Sequence, residues 1–233
     1  MLFMASTASA TAKTAKPKLW TKGFILDTLV NFLIYIIYYM LMVIIASEAI
    51  HSLNASMSEA GLASGIFILG TLLARLFAGR SVELYGRKKM LFAGIIFYLL
   101  TTFMYFGIHS MAMLFLVRCL NGIGYGIAST ATSTIVSTMI PAERRGEGIN
   151  YYALSMSLAA AIGPFIGMLM QQMFPFNDIV YFCIGMIVIC LGAAAVMHVD
   201  EMELTEEHRA ALKEIHIANF LEPKVWAISV VAF

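Results

Sequence analysis

Three charged side chains interrupt sequence that is otherwise apolar: Asp27, Arg75 and Arg118. A charge at the centre of a membrane-spanning helix costs about 2.5–3.5 kcal/mol on the insertion scale, and such residues commonly belong to proton or ion pathways. Counted along their apolar stretches, Asp27 and Arg75 both lie about 6 Å from the same side of the membrane. We therefore expect them to face each other as an ion pair, either as a proton-coupled or gating pair or as structural neutralisers near the interface.

Arg118 lies at a different depth, about 10 Å from the opposite side of the membrane. No acidic residue within the apolar stretches has a matching depth. Its partner is then expected beyond this sequence, or among backbone carbonyls, water and substrate. Because an unpaired arginine at this depth is costly, we interpret Arg118 as a functional residue.

The first apolar stretch also carries a polar face. Its members recur every three or four residues and so lie on one side of a helix: Asp27, Asn31, Tyr35, Tyr38 or Tyr39, and Met42. A polar face in lipid must turn toward protein or a water-filled cavity. We interpret it as the lining of a substrate pathway. Contact between helices is the alternative, since Asn and Tyr also hold membrane helices together.

Small residues mark two later stretches. Gly122 and Gly126 are four residues apart, a spacing that lets two helix backbones approach closely. Further on, Gly163, Pro164 and Gly167 interrupt a helical stretch, because proline lacks the N–H donor and kinks the axis. We expect a pivot between two arrangements at this point, with a static kink as the alternative.

Hydropathy predicts the elements that position these residues. Apolar residues make up 61% of the 233 residues and charged residues only 12%, about half of what a soluble domain carries. A bilayer core of about 30 Å takes roughly 20 apolar residues as a helix. Six stretches have that length: Phe24–Ala46, Ala60–Gly79, Met90–Ile108, Met111–Ile140, Gly148–Gln172 and Ile179–Val199. The predicted fold is therefore an all-α integral membrane bundle of six helices.

Four segments are predicted along the chain. Residues 1–22 form a cytoplasmic tail, because they lack the apolar core of a signal peptide. Residues 23–199 form the six-helix bundle. Residues 200–224 are rich in charge and form an amphipathic helix on the inner membrane surface or, alternatively, a flexible linker. Residues 225–233 are apolar but too short to span, which indicates the start of a seventh helix in a longer protein.

The basic residues are distributed unequally about the six stretches. Thirteen of the fifteen Lys and Arg residues fall on one side, two lie within the stretches, and the opposite side has none. Basic residues remain on the cytoplasmic side of a membrane protein. We therefore expect a multi-pass protein of the plasma membrane with a cytoplasmic N-terminus. The segment Gly79–Lys89 is predicted as a short basic loop on that inner side.

Patterns for other classes of chemistry are missing from the sequence. It has no His-rich metal cluster, no Gly-x-Ser-x-Gly motif and no phosphate-binding loop. Cys119, Cys183 and Cys190 lie within apolar stretches and are interpreted as packing residues. We therefore expect no enzymatic activity, no metal or cofactor and no nucleic-acid partner.

Three of these patterns together resemble the major facilitator superfamily. The basic segment resembles that family's signature between the second and third helices, with Glu83 in place of the usual Asp; its matching residues are Gly79, Glu83, Gly86, Arg87, Lys88 and Lys89. The fourth stretch resembles a pattern whose arginine is linked to proton coupling, through Arg118, Asn121, Gly122 and Gly126. The fifth resembles, in part, the pattern of the efflux branch, through Gly163, Pro164 and Gly167.

The resemblance implies one half of a twelve-helix fold. The six helices would form two inverted three-helix repeats and rock against a missing C-terminal six-helix half, with the lipid bilayer around both. It implies proton-coupled export of a small molecule by alternating access, with Asp27 binding the proton, Asn121 in the cavity lining and the basic segment as an inner latch. An uptake carrier of the same fold, proton-coupled or facilitative, is the first alternative. A membrane assembly protein without transport is the more distant one.

Overall fold

The computed structural model describes residues 17–199 and residue 201, and six long α-helices make up the architecture of this part. They are α1 (Lys22–Leu53), α2 (Met57–Tyr85), α3 (Arg87–Phe103), α4 (Met111–Met139), α5 (Arg145–Met173) and α6 (Phe176–Val196). Short 3-10 helices follow α3 (Met104–Gly107) and precede α5 (Ala142–Arg144). In this part of the chain, six helical segments are long and apolar enough to cross a bilayer. The prediction of six spans is confirmed, and the chain is a multi-pass membrane protein.

Two helices extend well past their apolar stretches. α1 runs on from Ala46 to Leu53, where Asn54 in the left-handed conformation (φ 53°) ends it. α2 then begins with a capping box, in which the Ser56 hydroxyl accepts from the Glu59 main-chain N–H and the Glu59 carboxylate accepts from that of Ser56. Hydropathy therefore indicates the part of each helix that lies inside the membrane, whereas the capping residues indicate where the helix begins and ends. The end of the bundle that holds the basic residues is called the inner end below, and the opposite end the outer end.

The prediction of a loop over Gly79–Lys89 is wrong. Residues 79–85 form the last turns of α2 and residues 87–89 the first turn of α3, which leaves Gly86 as the one residue between the two helices. Gly86 has φ 99°, a conformation that glycine adopts without the steric cost of a Cβ atom. The segment is a helix–glycine–helix corner, and its charged side chains project from helix ends.

The helix contacts form two equivalent sets. α4 packs against α2 and α3, while α1 packs against α5 and α6. If α1, α2 and α3 exchange labels with α4, α5 and α6 in that order, the first set of contacts becomes the second. Because each group of three spans begins on the opposite side of the membrane, the two groups are inverted three-helix repeats, as predicted.

Large apolar side chains cover the outward faces of α2 and α5. Leu69, Leu72 and Phe77 of α2 are exposed, as are Leu158 and Phe165 of α5. Such faces suit lipid or further membrane helices and are unsuited to water. The predictions for residues 1–16, 200 and 202–233, which include the charged linker and the seventh helix, lie outside the described residues.

Candidate transport site

Arg118 is fully buried between α2, α4 and the 3-10 helix that follows α3. Its Nε donates to the carbonyl oxygen of Ala63 at 3.1 Å, and its Nη1 donates to the hydroxyl of Tyr105 at 3.4 Å. The guanidinium carbon lies 4.5 Å from the centre of the Phe67 ring, a cation–π arrangement. Within the described part of the chain, Nη2 has no hydrogen-bond partner and no acid forms an ion pair with this arginine. Among the described residues the charge of Arg118 is therefore not paired with an acid, and both N–H groups of Nη2 are unused.

A chain of hydrogen bonds continues from Arg118 into the contact between α3 and α4. The Tyr105 hydroxyl donates to Asn121 Oδ1 at 3.3 Å, and Asn121 Nδ2 donates to the hydroxyls of Thr101 and Thr102 at 3.1 Å each. Such a network holds its members in one orientation in a low-dielectric interior. The structure thus places Asn121 fully buried behind Arg118, away from any open wall of this half.

Aromatic side chains of α1, α2 and α4 stack near the middle of the bundle. Tyr38 lies 5.0 Å from Phe67 in a stacked arrangement and 5.0 Å from Tyr125. Tyr35 lies 5.5 Å from Tyr125, and Tyr39 lies 4.6 Å from Tyr38. The three tyrosines of α1 are half-buried, whereas Phe67 and Tyr125 are buried. The tyrosines predicted to line a pathway therefore form one partly open surface over a buried aromatic floor.

Asn31 joins three helices nearer the inner end. Its Nδ2 donates to Ser155 Oγ at 3.3 Å, and its Oδ1 accepts from Thr132 Oγ1 at 3.4 Å. The Tyr152 hydroxyl in turn donates to Thr132 Oγ1 at 3.1 Å. These residues belong to α1, α4 and α5, and all four are buried. In this structure Asn31 makes the contact between helices that was the alternative interpretation of the polar face.

Asp27 lies one helical turn from Asn31 toward the inner end and is fully buried. Neither of its carboxylate oxygens has a hydrogen-bond partner among the described residues. An unpartnered buried carboxylate is costly, and either a partner or a proton removes that cost. Asp27 is the one buried acid among the described residues.

The predicted ion pair between Asp27 and Arg75 is wrong. The two side chains do not form a salt bridge, and Arg75 is exposed. The reason lies in the helix ends. Because α2 continues to Tyr85, Arg75 stands ten residues from the inner end of its helix, about 15 Å along the axis. Asp27 stands only five residues from the start of α1, about 7 Å.

The glycines of α4 and α5 lie where two helices meet. A Cβ atom on Gly122 would collide with the α2 backbone, and one on Gly126 would lie 2.8 Å from α2. On α5, a Cβ atom on Gly163 or Gly167 would lie 2.7 or 3.1 Å from α1. Pro164 stands inside α5 between them and does not end the helix. The glycines of α5 therefore allow close packing on α1. The pivot expected at Pro164 stays a prediction.

The corner at Gly86 binds the inner end of α6. The carboxylate of Glu201 accepts the main-chain N–H groups of Arg87 at 2.8 Å and Lys88 at 3.0 Å. The Lys88 ammonium donates to the carbonyl oxygens of Ala195 at 3.2 Å and Met197 at 2.6 Å. The negative charge of Glu201 therefore satisfies free N–H groups at the start of α3, and the positive charge of Lys88 satisfies free carbonyls at the end of α6.

Three further members of the basic segment are open to the surroundings: Gly79, Glu83 and Lys89. Glu83 and Lys89 are exposed, and nothing within 4 Å would meet a Cβ atom on Gly79. In the described residues Glu83 forms no salt bridge. The latch to a further helix therefore remains a prediction, with Glu83 available for it.

Several residues of these sites have no counterpart among the predictions. Phe67, Tyr105, Thr132 and Glu201 each contact a predicted residue, and Tyr152 contacts Thr132. Thr132 and Tyr152 carry a weak signal, since both are polar groups inside apolar stretches. Nothing in the sequence indicates that Phe67 lies under Arg118 or that Glu201 caps α3, because these partners come from other helices.

The Major Facilitator Superfamily model matches residues 28–233. An uncharacterized MFS-type transporter of Methanocaldococcus jannaschii is 27% identical over 151 residues, which are 65% of this chain and 39% of that protein. Multidrug resistance protein MdtL of Citrobacter koseri is 24% identical over 62% of this chain and 37% of its own length. Multidrug resistance protein 3 of Bacillus subtilis is 26% identical over 44% of this chain and 20% of its own length. These alignments span well under half of each relative.

A solved structure shows the same arrangement of helices. A mutant of the peptide transporter POT in complex with alafosfalin superposes with a TM-score of 0.70 over 91% of this chain and 45% of that chain. The sequences are 16% identical, so this likeness concerns the fold. Three observations agree: the six spans form two inverted repeats, a basic corner lies at Gly86, and the family model matches most of the sequence. The chain belongs to the Major Facilitator Superfamily of membrane transporters, and its six helices form one half of that fold.

Proposed function

We propose that this chain is the N-terminal half of a secondary active transporter that exports a small molecule in exchange for protons. In this proposal the six-helix bundle rocks against a C-terminal six-helix half and opens a central cavity to each side in turn. The proposed direction, export, is supported by relatives named as multidrug resistance proteins. The protein is proposed to be a transporter without enzymatic activity, cofactor or nucleic-acid partner.

The buried carboxyl group of Asp27 is the observation that best supports the proposed proton coupling. It has no hydrogen-bond partner in the described bundle, and it lies one turn from the network of Asn31, Thr132 and Tyr152. A proton taken up by Asp27 would remove the cost of the buried charge. The network joins α1 to α4 and α5, so a change of charge beside it acts on the contact between the two repeats.

Substrate is proposed to bind along the half-buried tyrosines of α1. Tyr35, Tyr38 and Tyr39 present ring faces and hydroxyls, which suit aromatic, lipophilic or cationic small molecules. The unused Nη2 of Arg118 is proposed as a gating or coupling donor that a group of the other half or of the substrate would accept. Arg75 is exposed near the inner half of α2 and is proposed to face the other half of the transporter.

The orientation is proposed from the charges. With the basic residues inside, the N-terminus is cytoplasmic and the protein lies in the plasma membrane. The corner containing Glu83 and Gly86 is proposed to act as a latch on the inner side. Residues 200–224 are proposed to link the two halves, and residues 225–233 to begin the seventh helix.

The decisive experiment uses the full-length protein in proteoliposomes with an imposed pH gradient. We expect gradient-driven flux of a lipophilic cation in the wild type, loss of at least 10-fold in Asp27→Asn, and no change in the matched control Asp178→Asn. Asp178 is an exposed acid in the first turn of α6. Gradient-driven flux that survives in both Asp27→Asn and Arg118→Ala would contradict proton coupling through these residues. Flux in the same direction as the protons would support the uptake carrier in place of the exporter.

A further inference from the structure

Tyr152 of α5 has an apolar side and a polar side. Its hydroxyl donates to Thr132 Oγ1 at 3.1 Å and lies 3.4 Å from Ser133 Oγ. Its ring packs into an apolar cluster at the inner ends of α1, α4 and α5, which consists of Leu19, Phe24, Val136, Ile140 and Met156. The cluster holds the ring in place, whereas the hydroxyl hydrogen can turn about the C–O bond toward another acceptor. Tyr152 is thus a fixed ring that carries a movable donor.

The two hydroxyls beside Tyr152 do not depend on its hydrogen. Thr132 Oγ1 donates to the carbonyl oxygen of Ser129 at 3.0 Å, and Ser133 Oγ donates to the same carbonyl oxygen at 2.9 Å. Each of them therefore has an acceptor for its own hydrogen, whether or not it accepts from Tyr152. The Tyr152 hydroxyl can consequently change its acceptor without leaving a buried donor unpaired.

Asp27 lies close to this hydroxyl. Thr132 joins Tyr152 to Asn31 through hydrogen bonds of 3.1 and 3.4 Å, and Asn31 follows Asp27 by one turn on the same face of α1. The Asp27 carboxylate also has a larger electrostatic effect on the Tyr152 hydroxyl than any other side chain has. Both carboxylate oxygens are buried and have no hydrogen-bond partner among the described residues. Tyr152 is thus a donor beside an acid that lacks one.

The other titratable groups around Asp27 are engaged elsewhere or exposed. The Cys190 thiol of α6 donates to the carbonyl oxygen of Val30, and the half-buried Tyr35 of α1 lies against the ring of Tyr125 in α4. Exposed groups at the same end are Lys18 and Lys22 at the start of α1, Glu147 and Tyr151 in α5, and His198 after α6. Within the described part of the chain, the Tyr152 hydroxyl is therefore the buried titratable donor beside Asp27.

We propose that Tyr152 is a positioning residue for Asp27, and that its hydroxyl exchanges Thr132 Oγ1 for the Asp27 carboxylate when this acid loses its proton. The arrangement described above, in which the acid has no donor, suits its neutral form. When the proton leaves, a change of the Asp27 rotamer brings a carboxylate oxygen to the Tyr152 hydroxyl, and the tyrosine keeps its own hydrogen.

The exchange alters which helices are joined. The bond from Tyr152 to Thr132 lies within the second repeat, between α5 and α4, whereas a bond from Tyr152 to Asp27 joins α5 to α1 of the first repeat. Loss of the proton thereby strengthens the contact between the two repeats. The role in transport rests on the proposed proton-coupled function, whereas the exchange of hydrogen bonds is a property of the bundle itself.

An infrared pH titration of the full-length protein tests the exchange without any need for transport. The band of the protonated Asp27 carboxyl group is identified by its absence from Asp27→Asn. A hydrogen bond to an ionised group changes an equilibrium constant by about 10-fold or more. We therefore expect the proton affinity of Asp27 to be about 10-fold higher or more in Tyr152→Phe, because the ionised acid loses its donor. The matched control Tyr151→Phe, at the exposed neighbour on α5, should keep the wild-type affinity.

An unchanged or lower proton affinity of Asp27 in Tyr152→Phe would overturn the proposal. A second variant, Thr132→Val, separates the exchange from a general loosening of the site. It removes the oxygen that competes with Asp27 for the Tyr152 hydrogen, so the proton affinity of Asp27 should fall. The variant also removes a bond to Asn31, which keeps its bond to Ser155. Any other result in Thr132→Val, including a rise in both variants, would overturn the exchange as well.

Flux measurements with the same variants test the role in transport. In proteoliposomes, the pH profile of gradient-driven flux is expected to move in Tyr152→Phe by the factor found for Asp27 in the titration, and to stay in place in Tyr151→Phe. A profile that stays in place in Tyr152→Phe although the proton affinity of Asp27 has changed would overturn the role in transport. A wild type whose flux ignores every pH gradient contradicts the proposed function instead, and the infrared titration then still decides the exchange.

Discussion

Lys88 and Glu201 cap each other's helices at the inner end of the bundle. Lys88 lies in the first turn of α3, and its ammonium donates to the carbonyl oxygens of Ala195 and Met197 at the end of α6. Glu201, five residues beyond α6, accepts two main-chain N–H groups at the start of α3. Each charge meets the helix end of opposite partial charge. The third helices of the two inverted repeats are thereby tied together.

Replacing Glu201 by alanine is expected to loosen the start of α3. Loss of a capping side chain costs about 1 kcal/mol, which corresponds to about a 5-fold change in a local equilibrium. Amide hydrogen exchange at Arg87 and Lys88 should therefore be about 5-fold faster than in the wild type. Glu143→Ala, at an exposed acid in the 3-10 helix before α5, is the control and should leave these amides unchanged. Equal protection in the wild type and Glu201→Ala would show that the cap adds nothing.

Replacing Asp27 by asparagine is expected to stabilise the protein while it abolishes coupling. The carboxylate is buried without a partner among the described residues, so a neutral side chain of nearly the same shape removes a desolvation cost of at least about 1 kcal/mol. Thermal unfolding of the purified full-length protein at pH 8 should show a higher midpoint for Asp27→Asn. The exposed Asp178→Asn should unfold as the wild type does. A lower midpoint for Asp27→Asn would indicate a partner for this carboxylate outside the described residues.

Adding one methyl group at Gly122 is expected to separate α2 from α4. The Cβ atom would collide with the carbonyl oxygen of Phe67, and overpacking of this kind costs about 1–3 kcal/mol. Gly65→Ala is the control, because a Cβ atom there meets nothing within 4 Å and alanine favours the helix. Thermal unfolding should show a lower midpoint for Gly122→Ala and an equal or higher one for Gly65→Ala. The packing argument fails if both variants unfold alike.

Lysine is not expected to replace Arg118. The guanidinium donates through two different nitrogen atoms to Ala63 and Tyr105 and lies over the Phe67 ring, and a single ammonium reproduces this geometry poorly. Gradient-driven flux of Arg118→Lys should fall at least 10-fold. Arg145→Lys, at an exposed arginine that begins α5, should keep wild-type flux. Normal flux in Arg118→Lys would show that transport requires only the positive charge at this position and not the guanidinium geometry.

Part of the candidate site is evident from residue types alone. Asp27 and Arg118 stand out because a charge inside an apolar stretch is costly, and both are fully buried. Their partners are not evident in the same way. The pairing of Asp27 with Arg75 fails because depth is counted from the ends of apolar stretches, whereas α2 continues six residues past Gly79. The same counting ends the first span at Ala46, although α1 extends to Leu53.

The sequence alone determined the six spans and their alternating direction through the membrane. Lipid offers no hydrogen bonds to the backbone, so about 20 apolar residues in a row leave the helix as the one choice. Tertiary structure alone decided which side chains meet: Phe67 and Ala63 at Arg118, Thr132 and Ser155 at Asn31, Glu201 at the start of α3. These contacts join residues far apart in the chain, and they depend on how each helix is rotated and where it ends. Hydropathy records neither quantity, because inside lipid an apolar side chain is equally favourable on every face of a helix.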